Sequence, residues 1–434
     1  MFEPNINIIF NSHMEVFIFE LSDEGEIKYK TYDSSLRLLG SNSLYDKNIL
    51  KYSVTIDEND ILHLVALINT GELNYYRYNK VEWSKGTMAK FDLKSNIYNQ
   101  IEIIWVKNQL HIIYNYSHLI NSNIWTIQHV VYNNESKERH NAIRYVSKRI
   151  PDPFTIDVDS QGTIHLLYRT YINNSSQIYH VFYSPYTKAW SSLPKQLSSD
   201  NLANNLFPFL FIDSKDNIHG LWIEEAKDSL ELKYLRMSSS GKERYIWKEI
   251  SLSNTSTSNY PPIIFEDNNK LKLLYLSNDT IQVLYSTDYG NLWSDKKESS
   301  RSIEKISVVR AKANILTPIC KIRHSYCNIS NNINFYFLDI YPSQKLEESP
   351  DKNLVEDILE EPLEYIEPLD PIETKLEILD ELDIKLQNIL DNHNTLETIM
   401  KKILVNQGIM ENKLDNIQKS IDSKRKSFFD RLFN

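Results

Sequence analysis

The sequence predicts an all-β protein, a six- or seven-bladed β-propeller with seven blades favoured, followed by an α-helical coiled-coil tail. Three observations predict this fold: a recurring unit of about fifty residues, a composition rich in strand-forming residues, and a heptad pattern near the carboxyl terminus. The predicted parts are a propeller over residues 1–341, an acidic proline-containing linker over 342–371, and a coiled-coil helix with a basic amphipathic end over 372–434.

The repeat is clearest between Phe154 and Trp190, where the pattern indicates three strands and two turns. One position of the middle strand recurs at intervals of 48 to 54 residues. It is occupied by Glu15, His63, His111, His165, His219, Lys272 and, less regularly, Cys320. A period of this length is typical of a β-propeller, whose blades bury their faces against their neighbours. The copy from Ser307 to Ile340 has weak turn chemistry, so six blades stay an alternative.

Composition agrees with strands joined by tight turns. Aromatic residues make up 12% of the 434 residues, and the 27 Tyr suit pleated, half-buried surfaces. Only nine Gly occur, so Asn and Asp are expected to form most turns that need a positive φ. We expect the first blade to pair with the last, because closing the ring removes open sheet edges.

The formal charge of −10 is concentrated in one stretch. Between Lys345 and Pro371 ten acidic residues face two Lys, which accounts for −8 and leaves the propeller nearly neutral. A nearly neutral body argues against a nucleic-acid partner. Four prolines in the same stretch prevent a continuous helix, so it is predicted to be an extended linker.

The two cysteines and the amino-terminal sequence bear on the compartment of the protein and on cofactors. Cys320 and Cys327 lack the spacing of a redox or metal motif, so both are predicted to be reduced structural thiols. The amino terminus has no signal-peptide pattern, which predicts a cytoplasmic protein, with peripheral attachment to a membrane or an assembled surface layer as a further option. Neither a cofactor nor a metal is predicted.

The heptad pattern begins at Ile372 and predicts self-association through residues 372–423. One core position holds Leu382, Ile389, Leu396, Ile403, Met410 and Ile417, and the other begins Leu379, Leu386, His393, Met400 and Gln407. Polar residues at His393 and Gln407 can fix the register and the number of strands. A helical hairpin broken near Gly408 is the alternative.

The last eleven residues combine basic and apolar side chains on one helical face. They include Lys424, Arg425, Lys426, Phe428, Phe429, Arg431, Leu432 and Phe433. A basic amphipathic end of this kind can dock on an anionic membrane surface or in a groove of another protein. The alternative is that the aromatic residues pack within the end of the coiled coil.

The most specific local motif is the segment STDYGNLW, from Ser286 to Trp293. It resembles the Asp box, also called the BNR repeat, of sialidase-like propellers. The resemblance implies that Asp288 holds backbone N–H groups of a hairpin turn, that Gly290 has a positive φ, and that Trp293 packs under the turn. An Asp box stabilises the rim of a blade, so it supports the fold and carries little information about catalysis.

The resemblance also implies a catalytic set in sialidases: three Arg on a substrate carboxylate, a Tyr nucleophile with a Glu, and an Asp acid/base. The sequence does not assign these roles. The tripeptide Arg149, Ile150, Pro151 matches the family's Arg-Ile-Pro motif but lies between the third and fourth copies. Arg169, Arg236, Arg301 and Arg310 come with no motif that places them in a triad.

Four His occupy the same position of successive copies, which suggests a role within each blade. Three of them follow an Asp by six residues, namely Asp57, Asp159 and Asp213, so Asp-to-His hydrogen bonds within the hairpins are predicted.

A candidate binding face is predicted where the copies differ, at one mouth of the central channel. A long excursion in the third copy and the end of the middle strand in the fifth supply most of it. The residues are Trp125, Tyr171, Trp222, Glu224 and Glu225. The favoured function is a non-catalytic scaffold that binds a protein or a carbohydrate and gains avidity from its stalk. The alternative is a sialidase-like glycoside hydrolase.

Overall fold

The computed structural model describes residues 2–133, 137–172, 175–199, 203–226, 229–253, 256–295, 306–314, 320–329 and 333–338. Contacts divide the chain into two units, Met1–Glu347 and Glu348–Asn434. The predicted linker, heptads and basic docking residues lie outside the described residues, as does Arg301. Within the described ranges, no helix combines the length and hydropathy needed to cross a bilayer.

The described strands form six sheets. In each of the first six copies the strands pair in chain order, from the first strand towards the last. Blade 1 has β1 (Phe2–Phe10), β2 (Val16–Leu21), β3 (Ile27–Tyr32) and β4 (Leu38–Ser43). Blade 2 has β5 (Ile49–Ile56), β6 (Leu62–Ile68), β7 (Glu72–Tyr78) and β8 (Trp83–Lys90). Blade 3 has β9 (Asn96–Val106), β10 (Gln109–His118), a 3₁₀ turn (Leu119–Asn121), β11 (Ile124–Tyr132) and β12 (Lys137–Val146).

Blade 4 has β13 (Thr155–Val158), β14 (Ile164–Ile172), β15 (Ser175–Ser184), β16 (Ala189–Trp190) and β17 (Lys195–Gln196). Blade 5 has β18 (Asn204–Ile212), β19 (Ile218–Ala226), β20 (Ser229–Met237) and β21 (Trp247–Glu249). Blade 6 has β22 (Ile263–Asp267), β23 (Lys270–Ser277), β24 (Thr280–Ser286) and β25 (Ser294–Asp295). The predicted long excursion of the third copy is wrong, because most of that stretch forms β11 and β12 of a regular blade.

The seventh copy does not form a separate blade, so the preference for seven blades is wrong for the described residues. Its strands are β26 (Ser307–Ala313), β27 (Cys320–Lys321), β28 (His324–Asn328) and β29 (Asn334–Phe335). Strand β26 pairs in parallel with β1, and β28 and β29 extend the same sheet to seven strands. Strand β27 pairs with β22 at the inner edge of blade 6. The last copy thereby joins blade 1 to blade 6.

Apolar side chains on the blade faces form clusters shared between neighbouring blades. Tyr52 and Val54 of blade 2 pack with Phe19 of blade 1, and Phe154 of blade 4 packs with Trp125 of blade 3. The largest cluster joins blades 5 and 6 to blade 1 and to the last copy. Each blade therefore completes the core of the next, as the repeat predicts.

Four tryptophans stand at the start of outer strands or beside them, as the sequence predicts, and pack against the preceding blade. Trp83 lies edge-on to Tyr29 at 5.9 Å, and Trp293 lies edge-on to Tyr234 at 5.4 Å. Trp190 and Trp247 contact His129 and His180 in the same way. These rings bury large apolar areas across the blade boundaries.

A second contact between blades recurs in the turns after the inner strands. A serine there donates both its backbone N–H and its hydroxyl to one carboxylate of the next blade. The pairs are Ser12 with Asp60, Ser160 with Asp216, and Ser214 with Glu266, at 2.5 to 2.9 Å. Two hydrogen bonds to one carboxylate therefore join each of these pairs of neighbouring blades.

Replacing Ser214 with alanine is expected to lower the free energy of unfolding by about 1–2 kcal/mol, because Glu266 is buried and loses one hydroxyl donor. Chemical denaturation of the full chain measures the change. Ser41→Ala is the matched control, since Ser41 is exposed on β4. An equal effect of the two substitutions would show that the serine to carboxylate contact contributes nothing.

Candidate functional site

The inner strands of blades 3 to 6 and the last copy surround a pocket near the propeller axis. The pocket holds about 810 Å³ of empty space, counting the part open to solvent. Prolines and aromatic residues at the starts of the inner strands form much of its wall, including Pro153, Phe154, Phe207, Pro208 and Pro261. Ligand pockets of proteins are likewise largely apolar, with a few polar groups.

Strand register divides the wall into two levels. The second strands of blades 3 to 6 have equivalent residues two positions after the repeated His or Lys, namely Ile113, Leu167, Leu221 and Leu274. The inner-strand residues paired with these four define the first level. The residues at that level are Glu102, Thr155, Phe209 and Ile263. Two residues earlier, towards the strand starts, lie Gln100, Pro153, Phe207 and Pro261. We call these the inner and the outer level of the pocket.

A cluster of charges lies against the inner level. Arg310 Nε is 2.7 Å from Glu102 Oε1, and Lys312 Nζ is 3.7 Å from Glu102 Oε2. Lys312 also donates to the backbone oxygens of Val54 and Ile103, both at 2.9 Å. The side chains of Glu102, Arg310 and Lys312 are all less than a tenth exposed. Three inner strands therefore meet at one buried lysine.

A second ion pair joins Arg323 to Asp157. The guanidinium Nε donates to Asp157 Oδ1 at 2.6 Å, and Asp157 Oδ2 accepts the backbone N–H of Ile212 at 2.7 Å. Asp157 is fully buried, whereas the Arg323 side chain is 18% exposed and lines the pocket. Arg323 is therefore partly accessible from the pocket, while its carboxylate partner is fully buried.

The protonation states follow from burial and from these neighbours. Burial lowers the pKa of Lys312 to about 8, although Glu102 favours the charged form. Burial opposes the charge on Glu102, but Arg310 and Lys312 outweigh it and hold the pKa of Glu102 below its usual value. Burial lowers the pKa of His324 to about 3, so its imidazole is neutral at pH 7. The three cations Arg310, Lys312 and Arg323 exceed the two carboxylates of Glu102 and Asp157 by one positive charge.

The predicted binding residues are separated by the structure. Trp125 and Trp222 are 0% and 2% exposed and pack in blade cores, so the prediction that they contact a ligand is wrong for both. Their indole rings fill space between strands. Glu224 and Glu225 pair with Asn205 and Asn204 at the start of β18. They therefore lie at the same end of blade 5 as the outer level of the pocket.

Tyr171 lies near the carboxyl end of β14, the second strand of blade 4, on the side of the blade where β13 begins. The Arg169 guanidinium lies 4.9 Å from the centre of its ring, and the Lys148 ammonium lies 5.5 Å from it. Arg169 is ion-paired with Asp152, next to Pro153 of the pocket wall. The predicted roles of Tyr171, Glu224 and Glu225 in binding stay predictions.

The four repeated histidines bond within their own blades. His63 Nε2 lies 3.3 Å from Asp57 Oδ2, and His219 Nε2 lies 3.0 Å from Asp213 Oδ2. Their Nδ1 atoms meet tyrosine hydroxyls of the third strand. The Nδ1 atoms of His111 and His165 meet His129 and His180 at 2.9 and 3.0 Å, and His165 Nε2 lies 3.6 Å from Asp159 Oδ2. Among the described residues, no group of three or more His, Cys, Asp or Glu has the arrangement of a metal site.

The turn of the Asp-box motif has the hydrogen bonds that the resemblance implies. Asp288 Oδ1 accepts the N–H groups of Asn291 and Leu292 at 3.1 and 3.0 Å, and the Ser286 hydroxyl at 2.8 Å. Gly290 has φ of 83°. A Cβ at Gly290 would collide with the Tyr234 hydroxyl of the preceding blade, so the position requires glycine.

The axial charge cluster was missed from the sequence, although two signals were available. The strand SVVRAKA places Arg310 and Lys312 two residues apart on one face of an apolar run, and Glu102 interrupts the apolar run of β9. Charges inside such strands are costly unless they are paired, which predicts partners nearby. Which strand supplies the partner depends on ring closure, and that requires the structure.

Comparisons with known proteins are limited to solved structures. No protein-family model and no curated protein matches the chain. An α-L-arabinanase of Penicillium chrysogenum is 9% identical with a TM-score of 0.42, over 66% of this chain and 94% of that one. The six-bladed Aleuria aurantia lectin is 12% identical with a TM-score of 0.40, over 67% and 94%. A GH93 α-L-arabinofuranosidase of Fusarium graminearum is 8% identical with a TM-score of 0.42, over 66% and 94%.

These comparisons agree with a β-propeller and correct one prediction. The prediction of a non-catalytic scaffold is not sustained, because arabinanases and an arabinofuranosidase stand among the similar structures. The glycoside hydrolase alternative is the one retained. At these identities the likeness concerns the fold, and the chemistry must be argued from the pocket itself.

Proposed function

We propose that this chain is a glycoside hydrolase whose axial pocket binds a sugar that bears a carboxylate. The observation that carries the proposal is one ionised carboxylate, Glu102, paired with Arg310 and Lys312 in a largely apolar pocket that a third cation, Arg323, also lines. The solved structures named above, which act on arabinans or bind fucose, motivate a saccharide ligand.

The charge of the pocket favours an anionic sugar. Arg323 is the most exposed of the three cations, and its paired Asp157 is fully buried. A guanidinium can bind a carboxylate through two parallel N–H donors, which orients a planar anion better than an ammonium does. The apolar wall keeps water away from this contact and strengthens it. A neutral sugar would leave the excess positive charge of the pocket uncompensated.

Glu102 is the residue assigned to the reaction. Among the described residues that line the pocket it is the one carboxylate, and its low pKa keeps it ionised at neutral pH. An ionised carboxylate can act as a nucleophile or a base, or can stabilise the positive charge that develops on the sugar ring. It is not suited to donate a proton to the leaving group.

The test uses aryl glycosides, whose leaving group departs without a proton donor. We expect the full-length protein to hydrolyse 4-methylumbelliferyl N-acetylneuraminide or glucuronide faster than the neutral glucoside or α-L-arabinofuranoside. Glu102→Gln keeps the shape of the side chain and should lower kcat at least about 100-fold. Fluorescence of released 4-methylumbelliferone measures the rate.

Glu249→Gln is the matched control, because Glu249 is exposed on an outer strand of blade 5. Its activity should equal that of the unmodified protein. Melting temperatures of all three proteins show whether Glu102→Gln still folds. The proposal fails if no anionic glycoside is hydrolysed, or if folded Glu102→Gln retains full activity.

A further inference from the structure

Phe207 lies at the outer level of the axial pocket, where the equivalent residues of the other blades are not aromatic. The equivalent residues are Gln100 in blade 3, Pro153 in blade 4 and Pro261 in blade 6, and all four line the pocket. Phe207 is therefore the one aromatic ring of this level. The residue is half-buried, so part of its surface remains accessible from the pocket.

The backbone of Phe207 is strained. Its φ is 53°, whereas the prolines at the equivalent positions of blades 4 and 6 hold φ near −65° by their ring. Among the strand residues that the structure describes, Phe207 is the one residue other than glycine with a positive φ. Pro208 follows it, and a residue before proline is driven towards extended backbone, which opposes this conformation further.

The strained residue lies in a β-bulge. The pairing of β18 with β19 shifts between Leu206 and Phe209, so Phe207 and Pro208 lie outside the regular ladder. A bulge changes the direction of a side chain, and such distortions persist where the surrounding structure imposes them, often at binding sites. Without the bulge, the side chains of β18 would alternate regularly between the two faces of the sheet over the whole strand.

An aromatic ring beside cations has a defined chemical use. The apolar C–H face of a sugar ring packs on an aromatic face, while its polar substituents reach hydrogen-bonding groups. The cations lie against the inner level, where Phe209 also contacts His324 edge-on at 5.2 Å. An anionic sugar with its carboxylate at the inner level would thus place its ring beside the outer level.

We propose that Phe207 forms an aromatic subsite that holds the apolar face of a sugar ring and that the bulge of β18 presents this ring to the pocket. This rests on the proposed function and deepens it, because it names the part of the ligand that the outer level recognises. Phe207 is a binding residue, and Glu102 remains the residue assigned to the reaction.

The experiment compares Phe207→Ala, Phe207→Gly and Phe207→Tyr in the full chain with two probes. The probes are the methyl glycoside of N-acetylneuraminic acid, measured by calorimetry, and the apolar anion 8-anilinonaphthalene-1-sulfonate, measured by fluorescence. Phe207→Ala and Phe207→Gly should each weaken both probes at least tenfold, and Phe207→Tyr should bind like the unmodified protein. Phe207→Gly should melt above Phe207→Ala, because glycine accepts a positive φ.

Tyr245 supplies the control, since it has φ of 62° and is 68% exposed in a turn. Tyr245→Gly should also melt above Tyr245→Ala, with both probes bound as before. The subsite is disproved if Phe207→Ala binds both probes normally or if the unmodified protein binds neither. Binding of both probes that depends on Phe207, without hydrolysis of any glycoside, would support the subsite and reject the hydrolase.

Discussion

Replacing Lys312 with methionine is expected to lower the free energy of unfolding of the propeller by about 3–5 kcal/mol. The substitution removes a buried cation that binds Glu102 and the backbone oxygens of Val54 and Ile103. Methionine is one atom shorter than lysine but similar in volume, so the loss concerns charge and hydrogen bonds more than packing. Strand β26, which joins the last copy to blade 1, loses the hydrogen bonds of Lys312 to blades 2 and 3, while Arg310 stays paired with Glu102.

The measurement is the shift of the denaturant midpoint for the full chain at pH 7. Lys248→Met is the control, because Lys248 forms an exposed ion pair with Glu243 on an outer strand. Exposed pairs contribute little, and the control should change stability by less than about 1 kcal/mol. If the two variants unfold at the same midpoint, the axial cluster does not hold the ring together.

Acid is expected to destabilise the propeller between pH 6.5 and pH 4. Burial lowers the pKa of His111 to about 4 and that of His324 to about 3, and it lowers the pKa of His129 and His180 well below the usual value. The unfolded chain takes up these protons near pH 6.5, so it binds more protons than the folded chain in this window. Stability therefore rises with pH across the window and is lost as pH falls.

The size of the effect follows from about 1.4 kcal/mol for each pKa unit, so His111 alone contributes about 3 kcal/mol that is lost by pH 4. Carboxylates with lowered pKa, such as Glu102 and Asp213, add to the loss only below their unfolded values of 4.5 and 3.8. The difference between the melting temperatures at pH 7 and pH 5 therefore reports the histidines, because the carboxylates contribute only at lower pH.

The double variant His111→Gln, His129→Gln isolates the histidine contribution. It removes one buried imidazole pair of blade 3, whose nitrogens are 2.9 Å apart. It should melt below the unmodified protein at pH 7 yet lose less on going to pH 5. An unchanged pH dependence would show that these imidazoles do not account for the acid sensitivity.

The architecture could be predicted from sequence wherever each copy uses local chemistry. His63 and His219 follow Asp57 and Asp213 by six residues, and this spacing alone predicted the hydrogen bonds within their hairpins. Trp83 and Trp247 marked the starts of outer strands in the same way. Each of these features stabilises its own blade and therefore recurs in successive copies, so the spacing of the repeat predicts their positions.

The site could not be predicted because it is assembled from residues that do not repeat. Glu102 and Lys312 come from different copies and meet only after the ring closes, and the same holds for Asp157 and Arg323. The sequence favoured seven blades, but the pairing of β26 with β1 merges the last copy with the first blade. Trp125 and Trp222 were assigned to a binding face because indole rings are common there, yet both complete blade cores.

A crystal structure of the full chain soaked with N-acetylneuraminic acid at pH 7 shows directly whether the axial pocket is a site for an anionic sugar. We expect the sugar in the axial pocket, with its carboxylate within hydrogen-bond distance of Arg323 and its ring against Phe207. A pocket left empty at saturating ligand, or a sugar bound at another surface of the propeller, would contradict this expectation.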